Sequence, residues 1–432
     1  MNAGVIPSWR SAARNPPPEA AGDPSPSTRL GMTLVIAVAA IAHFTYFALR
    51  YGSFYFPDSF TYLAPAGNLI HGLGFSNGTP LEPDTIRTPG YPLLLILFGL
   101  KTAPVIAFQH LLTIGLAAAL YLSLIQRLRS RFVAMTAAIL YALDVPTIHI
   151  ANKLLTETVF TALLFVIFVL NVAPRSSAAK SIGIGLLLGL MVLVRPIAMF
   201  FFALMALRIP RRQLIAFVAA SLVLPGAWAA RNWIRTGVFT VSSIGNINLL
   251  TTRAAGALAI EDEGDDFRSD MTDEQHGLVE DADDWIQQKL HIPDAEELPV
   301  AVRATYYGPY AMKIIAQHPI AFSQLTVRGI LVNLFDSDWD ALDSVTLLYP
   351  TLLQDTVGLL PVVVFVFALI GAAALWRTDR ELAIAIALTV AYFILISAGG
   401  EAEYRFRVPV MPQIAIAAAV GLDVVRRSVR GQ

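Results

Sequence analysis

The chain has 432 residues, of which 56% are hydrophobic and only 15% charged, with a formal net charge of −1. Because soluble chains carry about 25% charged residues, this composition and a mean hydropathy of +0.60 exclude an ordinary soluble domain. The absence of cysteine excludes disulfides and thiolate chemistry, and no block of Lys and Arg indicates a nucleic-acid partner.

Residues 1–30 are rich in Pro, Ala and Ser and predict a disordered cytoplasmic tail. The apolar segments that follow approach the roughly 20 residues that a helix needs to cross a bilayer. Their apolar residues do not alternate, which favours helices over barrel strands. We predict about ten spans, near residues 31–49, 103–124, 132–145, 157–173, 181–194, 197–209, 213–230, 357–376, 381–398 and 408–425.

The predicted fold class is therefore an all-α polytopic membrane protein. Short turns rich in Arg and Lys, such as 127–131 and 208–212, lie on one side of these spans, and the positive-inside rule makes that side cytoplasmic. Both termini are then cytoplasmic, in an inner-type plasma membrane. We expect a transmembrane module over 31–230 with an outer loop at 50–90, an extracytoplasmic region at 231–356, and C-terminal transmembrane helices over 357–432.

The outer loop holds the most informative residues. Asp58 closely follows the first span and opens a predicted interfacial helix over 59–70, which Gly72 closes. A second apolar segment, 91–100, is too short to span and is expected to rest at the outer interface. A carboxylate at this surface can meet both lipid head groups and water-soluble substrates. The alternative is that Asp58 is only a helix N-cap.

The order of several motifs resembles the GT-C glycosyltransferases that use polyprenyl-phosphate sugars, including the protein O-mannosyltransferases and the lipid A aminoarabinose transferases. Those families place an acidic residue after the first span, a Tyr four residues later, a Gly-rich turn, and a basic residue before Pro-x-Tyr. The matching pieces here are Asp58, Tyr62, Gly72-Leu73-Gly74-Phe75, Arg87-Thr88-Pro89-Gly90-Tyr91-Pro92, Leu155-Thr156-Glu157, Leu193-Val194-Arg195-Pro196, Arg231-Asn232 and Tyr404-Arg405-Phe406-Arg407-Val408-Pro409.

The resemblance implies a GT-C-like helix bundle and a glycosyl transfer on the extracytoplasmic side. Transfer from a polyprenyl phosphate needs a carboxylate that takes the acceptor proton, for which Asp58 is the candidate. It also needs cations for the departing phosphate, and the guanidinium fork suits phosphate oxygens. The candidates are Arg87, Arg405, Arg195 and Arg407, with membrane anchoring through lipid phosphates as the alternative for each.

Glu157 has two interpretations of equal weight. A Glu in the first turn of a helix is favoured by the helix dipole, and Lys153 lies four residues earlier, so a surface ion pair is one interpretation. The resemblance implies instead a second carboxylate that, with Tyr62, faces the acceptor or a metal. A divalent metal through Asp58 and Glu157 is left open, and no other cofactor is indicated.

We expect an inverting membrane glycosyltransferase that moves a hexose or pentose from a polyprenyl-phosphate donor to a glycan, lipid or protein acceptor. A transporter or lipid flippase is the main alternative, and it predicts charged residues buried in mid-span. A non-catalytic membrane scaffold is a third, which leaves Asp58 and the arginines without a role.

Overall fold

The computed structural model describes residues 25–78, 81–173, 177–261, 267–336 and 350–431, with side chains from 358 onward in the last range. Within these ranges the fold is all-α, as predicted, apart from a two-stranded antiparallel hairpin of Ser76–Asn77 and Glu82–Pro83. The helices of the first half are α1 Pro26–Leu49, α2 Ser59–Ile70, α3 Gly90–Leu97, α4 Thr102–Leu128, α5 Arg131–Ala142, α6 Val145–Ala151, α7 Glu157–Val172, α8 Ala178–Val194, α9 Phe201–Ala206 and α10 Leu214–Thr236.

The second half begins with a cluster of helices between two apolar regions and ends in long apolar helices. Leu249–Ala254 is a π-helical turn between α11 and α12, and Tyr404–Phe406 and Val408–Val410 are 3₁₀ turns before the last helix. The α-helices are α11 Ile244–Asn248, α12 Ala255–Glu261, α13 Phe267–Leu290, α14 Val300–Gln317, α15 Pro319–Phe335, α16 Pro350–Thr378, α17 Arg380–Ile396 and α18 Met411–Val429.

The chain is an integral membrane protein. Among the described residues five helical segments are long and apolar enough to cross a bilayer: Pro26–Leu49, Thr102–Leu128, Arg211–Thr236, Gly358–Thr378 and Tyr404–Val429. The bent pair of α5 and α6, which meet at 52°, makes a sixth if the pair is one span. Shorter apolar helices are Glu157–Val172, Ala178–Val194, Pro196–Ala206 and Pro319–Phe335.

Every predicted span coincides with a helical segment, although fewer than ten are long enough to cross alone. The predicted helix at 59–70 is confirmed as α2, its interfacial position stays a prediction, and the short apolar segment forms α3. The predicted tail ends too late: α1 begins at Pro26, because Ser25 Oγ caps it by accepting from the Thr28 N–H and proline suits a first helical turn. Residues 1–24 lie outside the described residues.

The bundle core is built by α1, α4, α5, α7, α8, α16, α17 and α18, with a second apolar cluster beneath α2 and α3 and a third within α11–α14. Small residues let the spans approach closely. A Cβ on Gly371 of α16 would lie only 1.8 Å from the Ala417 carbonyl oxygen of α18, and one on Gly421 would lie 2.0 Å from the Phe367 carbonyl oxygen. Only glycine therefore allows this α16–α18 contact.

Candidate functional site

The loop after α1 is fixed to the link between α6 and α7. The Leu154 N–H donates to the Phe54 carbonyl at 2.8 Å, and Ser59 Oγ donates to the Leu154 carbonyl at 3.0 Å. These bonds hold the start of α2 beside the start of α7. Since Asp58 precedes α2 directly and Glu157 is the first residue of α7, two acidic residues far apart in sequence are brought to one place.

A buried chain of polar side chains supports the same loop from within the bundle. His43 Nδ1 of α1 lies 2.8 Å from His110 Nδ1 of α4, and His110 Nε2 lies 3.2 Å from Asn152 Oδ1. Asn152 Nδ2 donates in turn to the Arg50 carbonyl at 3.3 Å. Burying polar groups in an apolar bundle costs free energy unless they are paired. This series of hydrogen-bonded side chains therefore fixes the position of the loop relative to α1 and α4.

Asp58 lies between two arginines that come from distant parts of the chain. Its Oδ1 accepts from Arg87 Nη2 at 2.8 Å, and its Oδ2 accepts from Arg405 Nη1 at 2.8 Å. The residue stands at the N-cap position of α2, with φ −66° and ψ −20°, but its side chain makes no capping hydrogen bond. The interpretation of Asp58 as only an N-cap is therefore wrong, because the carboxylate is directed at guanidinium groups instead of the helix backbone.

The charges around Asp58 decide its ionisation. Burial opposes the charged form, but the positive charges of Arg405 and Arg87, together with their hydrogen bonds, outweigh burial and lower the pKa of the carboxyl below its ordinary 3.8. In this arrangement Asp58 is an anion held by two cations. About 30% of its side chain stays exposed, more than for either arginine, so a ligand can reach it.

Arg87 is positioned by a turn that sequence reasoning did not single out. Asp84 Oδ1 accepts from the backbone N–H groups of Ile86 at 2.7 Å and Arg87 at 3.0 Å, which fixes the backbone just before the guanidinium. Burial raises the pKa of Asp84, although those two N–H groups favour the charged form. The Arg87 guanidinium lies 4.6 Å above the Tyr62 ring and donates to the Tyr62 hydroxyl at 3.2 Å. Tyr62 therefore orients Arg87.

Close backbone packing brings the loop of Arg87 against the turn of Arg195. A Cβ on Gly90 would lie 2.6 Å from the Leu193 carbonyl oxygen, so glycine is needed there. Arg195 Nη1 lies 2.8 Å from Glu157 Oε1, and the Glu157 side chain is only 2% exposed. The interpretation of Glu157 as part of a surface ion pair with Lys153 is wrong, because Glu157 is buried and Lys153 Nζ donates to the Ser53 carbonyl at 3.1 Å.

Arg405 joins the two carboxylates into one network. Besides Asp58, its Nε lies 2.8 Å from Glu403 Oε2 and 3.9 Å from Glu157 Oε1. The guanidinium also lies 4.8 Å from the centre of the Phe56 ring. The site is thus an alternating series of acidic and basic side chains, in which three carboxylates face three guanidiniums: Asp58, Glu157 and Glu403 with Arg87, Arg195 and Arg405.

Arg407 stands apart from this network. Its Nη1 donates to the carbonyl oxygens of Leu334 at 2.6 Å and Asp336 at 3.2 Å, and its Nη2 lies 4.0 Å from Asp144 Oδ1. The structure therefore brings Asp58, Tyr62, Arg87, Glu157, Arg195 and Arg405 together and places Arg407 in a different environment, against the end of α15.

The side chains around Asp58 and Glu157 show whether these two carboxylates can bind a divalent metal. No group of three or more His, Asp or Glu side chains within the described ranges could hold a metal ion. Asp58 and Glu157 both face guanidiniums at 2.8 Å, so their charge is already compensated. These residues do not fit a divalent metal site.

Glu403 and Asp84 were missed by sequence reasoning. Glu403 lies two residues before Arg405, and this spacing alone predicts no contact. The 3₁₀ turn folds Glu403 back onto Arg405. The signal for Asp84 was available, because an Asp before a turn commonly accepts from the backbone two or three residues later.

No protein-family model matches the chain, and no curated protein matches it. The solved structures that are similar to it include the following two. The archaeal oligosaccharyltransferase AglB from Archaeoglobus fulgidus, in complex with an inhibitory peptide and a dolichol-phosphate, matches over 92% of this chain and 51% of its own, with 14% identity and a TM-score of 0.42. ArnT from Cupriavidus metallidurans bound to undecaprenyl phosphate matches over 92% of this chain and 78% of its own, with 14% identity and a TM-score of 0.36.

The chain spans about half the length of the archaeal protein. Both of these solved proteins carry a lipid phosphate, which is a property of those proteins.

Proposed function

We propose that the protein transfers a sugar from a polyprenyl-phosphate donor to an acceptor hydroxyl on the extracytoplasmic side, with Asp58 as general base and with inversion. One observation carries the proposal: Asp58 is held between Arg87 and Arg405, each at 2.8 Å, in a partly exposed site beside an apolar bundle. A membrane surface, two converging guanidiniums and a reachable carboxylate are what such a transfer needs.

Arg87 and Arg405 are proposed to bind the donor phosphate. Both keep their position through aromatic rings, Tyr62 under Arg87 and Phe56 beside Arg405, so their N–H groups are oriented before a ligand arrives. A guanidinium can bind two phosphate oxygens at once, and preorganised cations stabilise the charge that develops on a leaving group. Arg195 extends this positive surface, and Arg407 is left out of it.

Phosphate binding would also change Asp58. The two guanidiniums engage both carboxylate oxygens and make Asp58 a weak base. A phosphate that binds Arg87 and Arg405 competes with the carboxylate for their N–H groups and brings a negative charge close to it. Both effects raise the pKa of Asp58 in the complex. Donor binding thereby activates the base only when a substrate is present.

The charges balance during the transfer. The acceptor hydroxyl oxygen forms a bond to the anomeric carbon from the face opposite the phosphate, and its proton passes to Asp58. The bond between the anomeric carbon and the phosphate oxygen breaks, and its electron pair stays on the phosphate. The carboxylate thus loses its negative charge as the phosphate gains one, so Arg87 and Arg405 shift their partnership from Asp58 to the leaving group.

Glu157 is proposed to hold the cations in place. It is buried and lies 2.8 Å from Arg195 and 3.9 Å from Arg405, so it sets the position of both guanidiniums. A glycan, a lipid or a protein side chain can supply the acceptor hydroxyl. Whether the sugar is a hexose or a pentose depends on the groups that surround it when bound.

The proposed orientation places residues 50–90 and 231–356 outside and both termini inside. Since the chain has no cysteine, single cysteines can be introduced without background. Exposed positions are His71 and His276 on the predicted outer side and Thr378 on the inner side. In intact cells an impermeant maleimide should label His71→Cys and His276→Cys but not Thr378→Cys; the reverse pattern would refute the orientation.

The function is tested by Asp58→Asn against a matched control, Asp379→Asn. Asp379 also stands at a helix N-cap and also binds guanidinium N–H groups, from Arg127 at 2.8 and 2.9 Å. The donor is the lipid-linked sugar fraction from membranes that lack the protein, and the readout is release of polyprenyl phosphate by purified protein. Asp58→Asn should reduce transfer by about 10²–10⁴-fold, as for other proton-transfer residues, while Asp379→Asn keeps it.

Normal transfer by a well-folded Asp58→Asn protein would remove the base from the mechanism. If neither the wild type nor the variants cleave the donor, but reconstituted wild-type protein moves it between leaflets, the alternative of a lipid flippase is correct.

A further inference from the structure

A cavity of about 190 Å³ lies away from the carboxylate–arginine network, between the ends of α5 and α15 and the helices α16 and α18. Nearly all of its lining is hydrocarbon, including Leu140, Leu143, Leu360 and Ile414. A single water needs only about 10–15 Å³ on this measure, so the cavity can hold a chain of carbon atoms. Leu143 and Leu360 are 41% and 46% exposed, so the cavity opens at the exposed apolar surface of the helix bundle.

The polar groups of this cavity are a separated pair of opposite charges. Arg407 is only 3% exposed, and its Nη1 is occupied by the Leu334 and Asp336 carbonyls. Its Nη2 is buried and has no hydrogen-bond partner within the described part of the chain. Asp144 Oδ1 lies 4.0 Å from Nη2, beyond hydrogen-bond distance. Asp144 Oδ2 is engaged elsewhere, since it accepts from the Thr147 N–H and hydroxyl.

We propose that this cavity binds a single-chain lipid alcohol, with its hydroxyl between Arg407 and Asp144. A hydroxyl oxygen can accept from Nη2 and donate to Oδ1 at the same time, because 4.0 Å is shorter than two hydrogen bonds in line, about 5.6 Å. The unpartnered Nη2 then gains its missing acceptor, and burying a donor without one costs free energy. The chain fills the apolar part of the cavity.

Other head groups fit this pair less well. A phosphate that approaches Arg407 meets the carboxylates of Asp144 and Asp336, which interact with the guanidinium within the described ranges. An ammonium group that approaches Asp144 meets Arg407. A plain hydrocarbon fills the cavity but leaves Nη2 without an acceptor. Only a neutral group that both donates and accepts satisfies both sides of the pair.

This inference does not depend on the proposed function. Arg407 and Arg405 are two residues apart, but Arg405 faces Asp58, whereas Arg407 faces α15 and Asp144. Binding of a lipid alcohol can therefore succeed or fail whether or not the protein transfers sugar.

The test uses the purified full-length protein in detergent and a long-chain alcohol that carries a diazirine near its hydroxyl. After irradiation, mass spectrometry should find the label on peptides of α5, α16 or α18. Hexadecanol should compete at least about tenfold better than hexadecyl phosphate or hexadecane, the advantage expected for hydrogen bonds to charged groups. Equal competition by the three would show that no head group is recognised, and stronger competition by the phosphate would show an anion site; either overturns the proposal.

Two variants locate the site. Leu143→Trp changes a half-exposed side chain at the mouth, so it should fold and reduce labelling several-fold by filling the entrance. Asp144→Asn keeps the cap of α6, because Asn caps about as well as Asp, but removes one negative charge beside Arg407. Its preference for hexadecanol over hexadecyl phosphate should shrink well below tenfold. Labelling that neither variant changes, in proteins with wild-type thermal unfolding, would overturn the proposal.

Discussion

Asp58 on the proposed outer side and Asp379 on the proposed inner side use the same chemistry for different ends. Both stand at the start of a helix, and both accept two hydrogen bonds from guanidinium groups. Asp379 takes both from Arg127 and also caps α17 by accepting from the Leu382 N–H at 3.2 Å. Arg127 is completed by the Val172 carbonyl at 2.7 Å. This pair is closed and joins α4, α7 and α17.

Asp58 takes its two hydrogen bonds from two different arginines and caps nothing. The guanidiniums of Arg87 and Arg405 converge on one anion, and that anion can be replaced by another. Two features therefore distinguish an anion site from a structural ion pair. One is the number of arginines that bind each carboxylate. The other is the fraction of the guanidinium N–H groups that donate to backbone carbonyls.

The largest expected change in unfolding free energy distinguishes a buried ion pair from an exposed one. Glu157→Gln leaves Arg195 without its buried counter-charge and should cost about 3–5 kcal/mol of unfolding free energy. Glu381→Gln breaks a pair with Arg208 in which the Glu381 side chain is 70% exposed, and should cost about 0–1 kcal/mol. Thermal or denaturant unfolding in detergent measures both. Equal costs would mean that Glu157 is solvated and does not hold the network.

The next largest expected effect compares Arg405 in the Asp58 network with Arg127 in the closed pair. Arg405→Ala should weaken use of the donor by about 10–150-fold, the equivalent of 1.5–3 kcal/mol for a hydrogen bond to a charged group, and Arg405→Lys should recover only part. Arg127→Ala should lower stability but leave the specific activity of folded protein unchanged. Donor-dependence curves of the purified variants measure these effects. If Arg127→Ala reduced donor use as strongly as Arg405→Ala, the contrast between the two sites would be lost.

The smallest effect is a shift in pH dependence. The pKa of Asp58 in the free protein lies below 3.8, so its charged form contributes stability above that pH, and the contribution is lost as the pH falls through the lowered pKa. The acid limb of kcat/KM, which reports the free enzyme, should therefore lie below pH 3.8 as far as the protein stays folded. The limb of kcat, which reports the complex, should lie at higher pH. If the acid limbs of kcat/KM and of kcat fell at the same pH, the donor would not displace the arginines from Asp58.

Much of the fold followed from the sequence because the bilayer imposes a simple rule. Apolar segments of sufficient length become helices, and the predicted segments at 59–70 and 91–100 appear as α2 and α3. The start of α1 was misplaced, since the cap by Ser25 lies inside a segment whose composition suggested a tail. Length alone did not predict which helices cross.

Part of the site could also be predicted. Motif order selected Asp58, Tyr62, Arg87 and Arg405, and the structure brings them together. Arg407 was predicted with them because it belongs to the same motif as Arg405 on the expected outer face, yet the 3₁₀ turns send their side chains to different neighbours. Contacts such as Glu403 with Arg405 arise from backbone geometry that residue spacing does not reveal.

The central claim is that the Asp58 network consumes a polyprenyl-phosphate sugar. Mass spectrometry of lipids from cells that lack the protein tests it most directly, with complementation by wild type, Asp58→Asn and Asp379→Asn. A polyprenyl-phosphate sugar should accumulate in the deletion strain, disappear with wild type and Asp379→Asn, and persist with Asp58→Asn expressed at the same level in the membrane. Lipid profiles that are identical with and without the protein, or an Asp58→Asn variant that clears the lipid as well as wild type, would contradict the account.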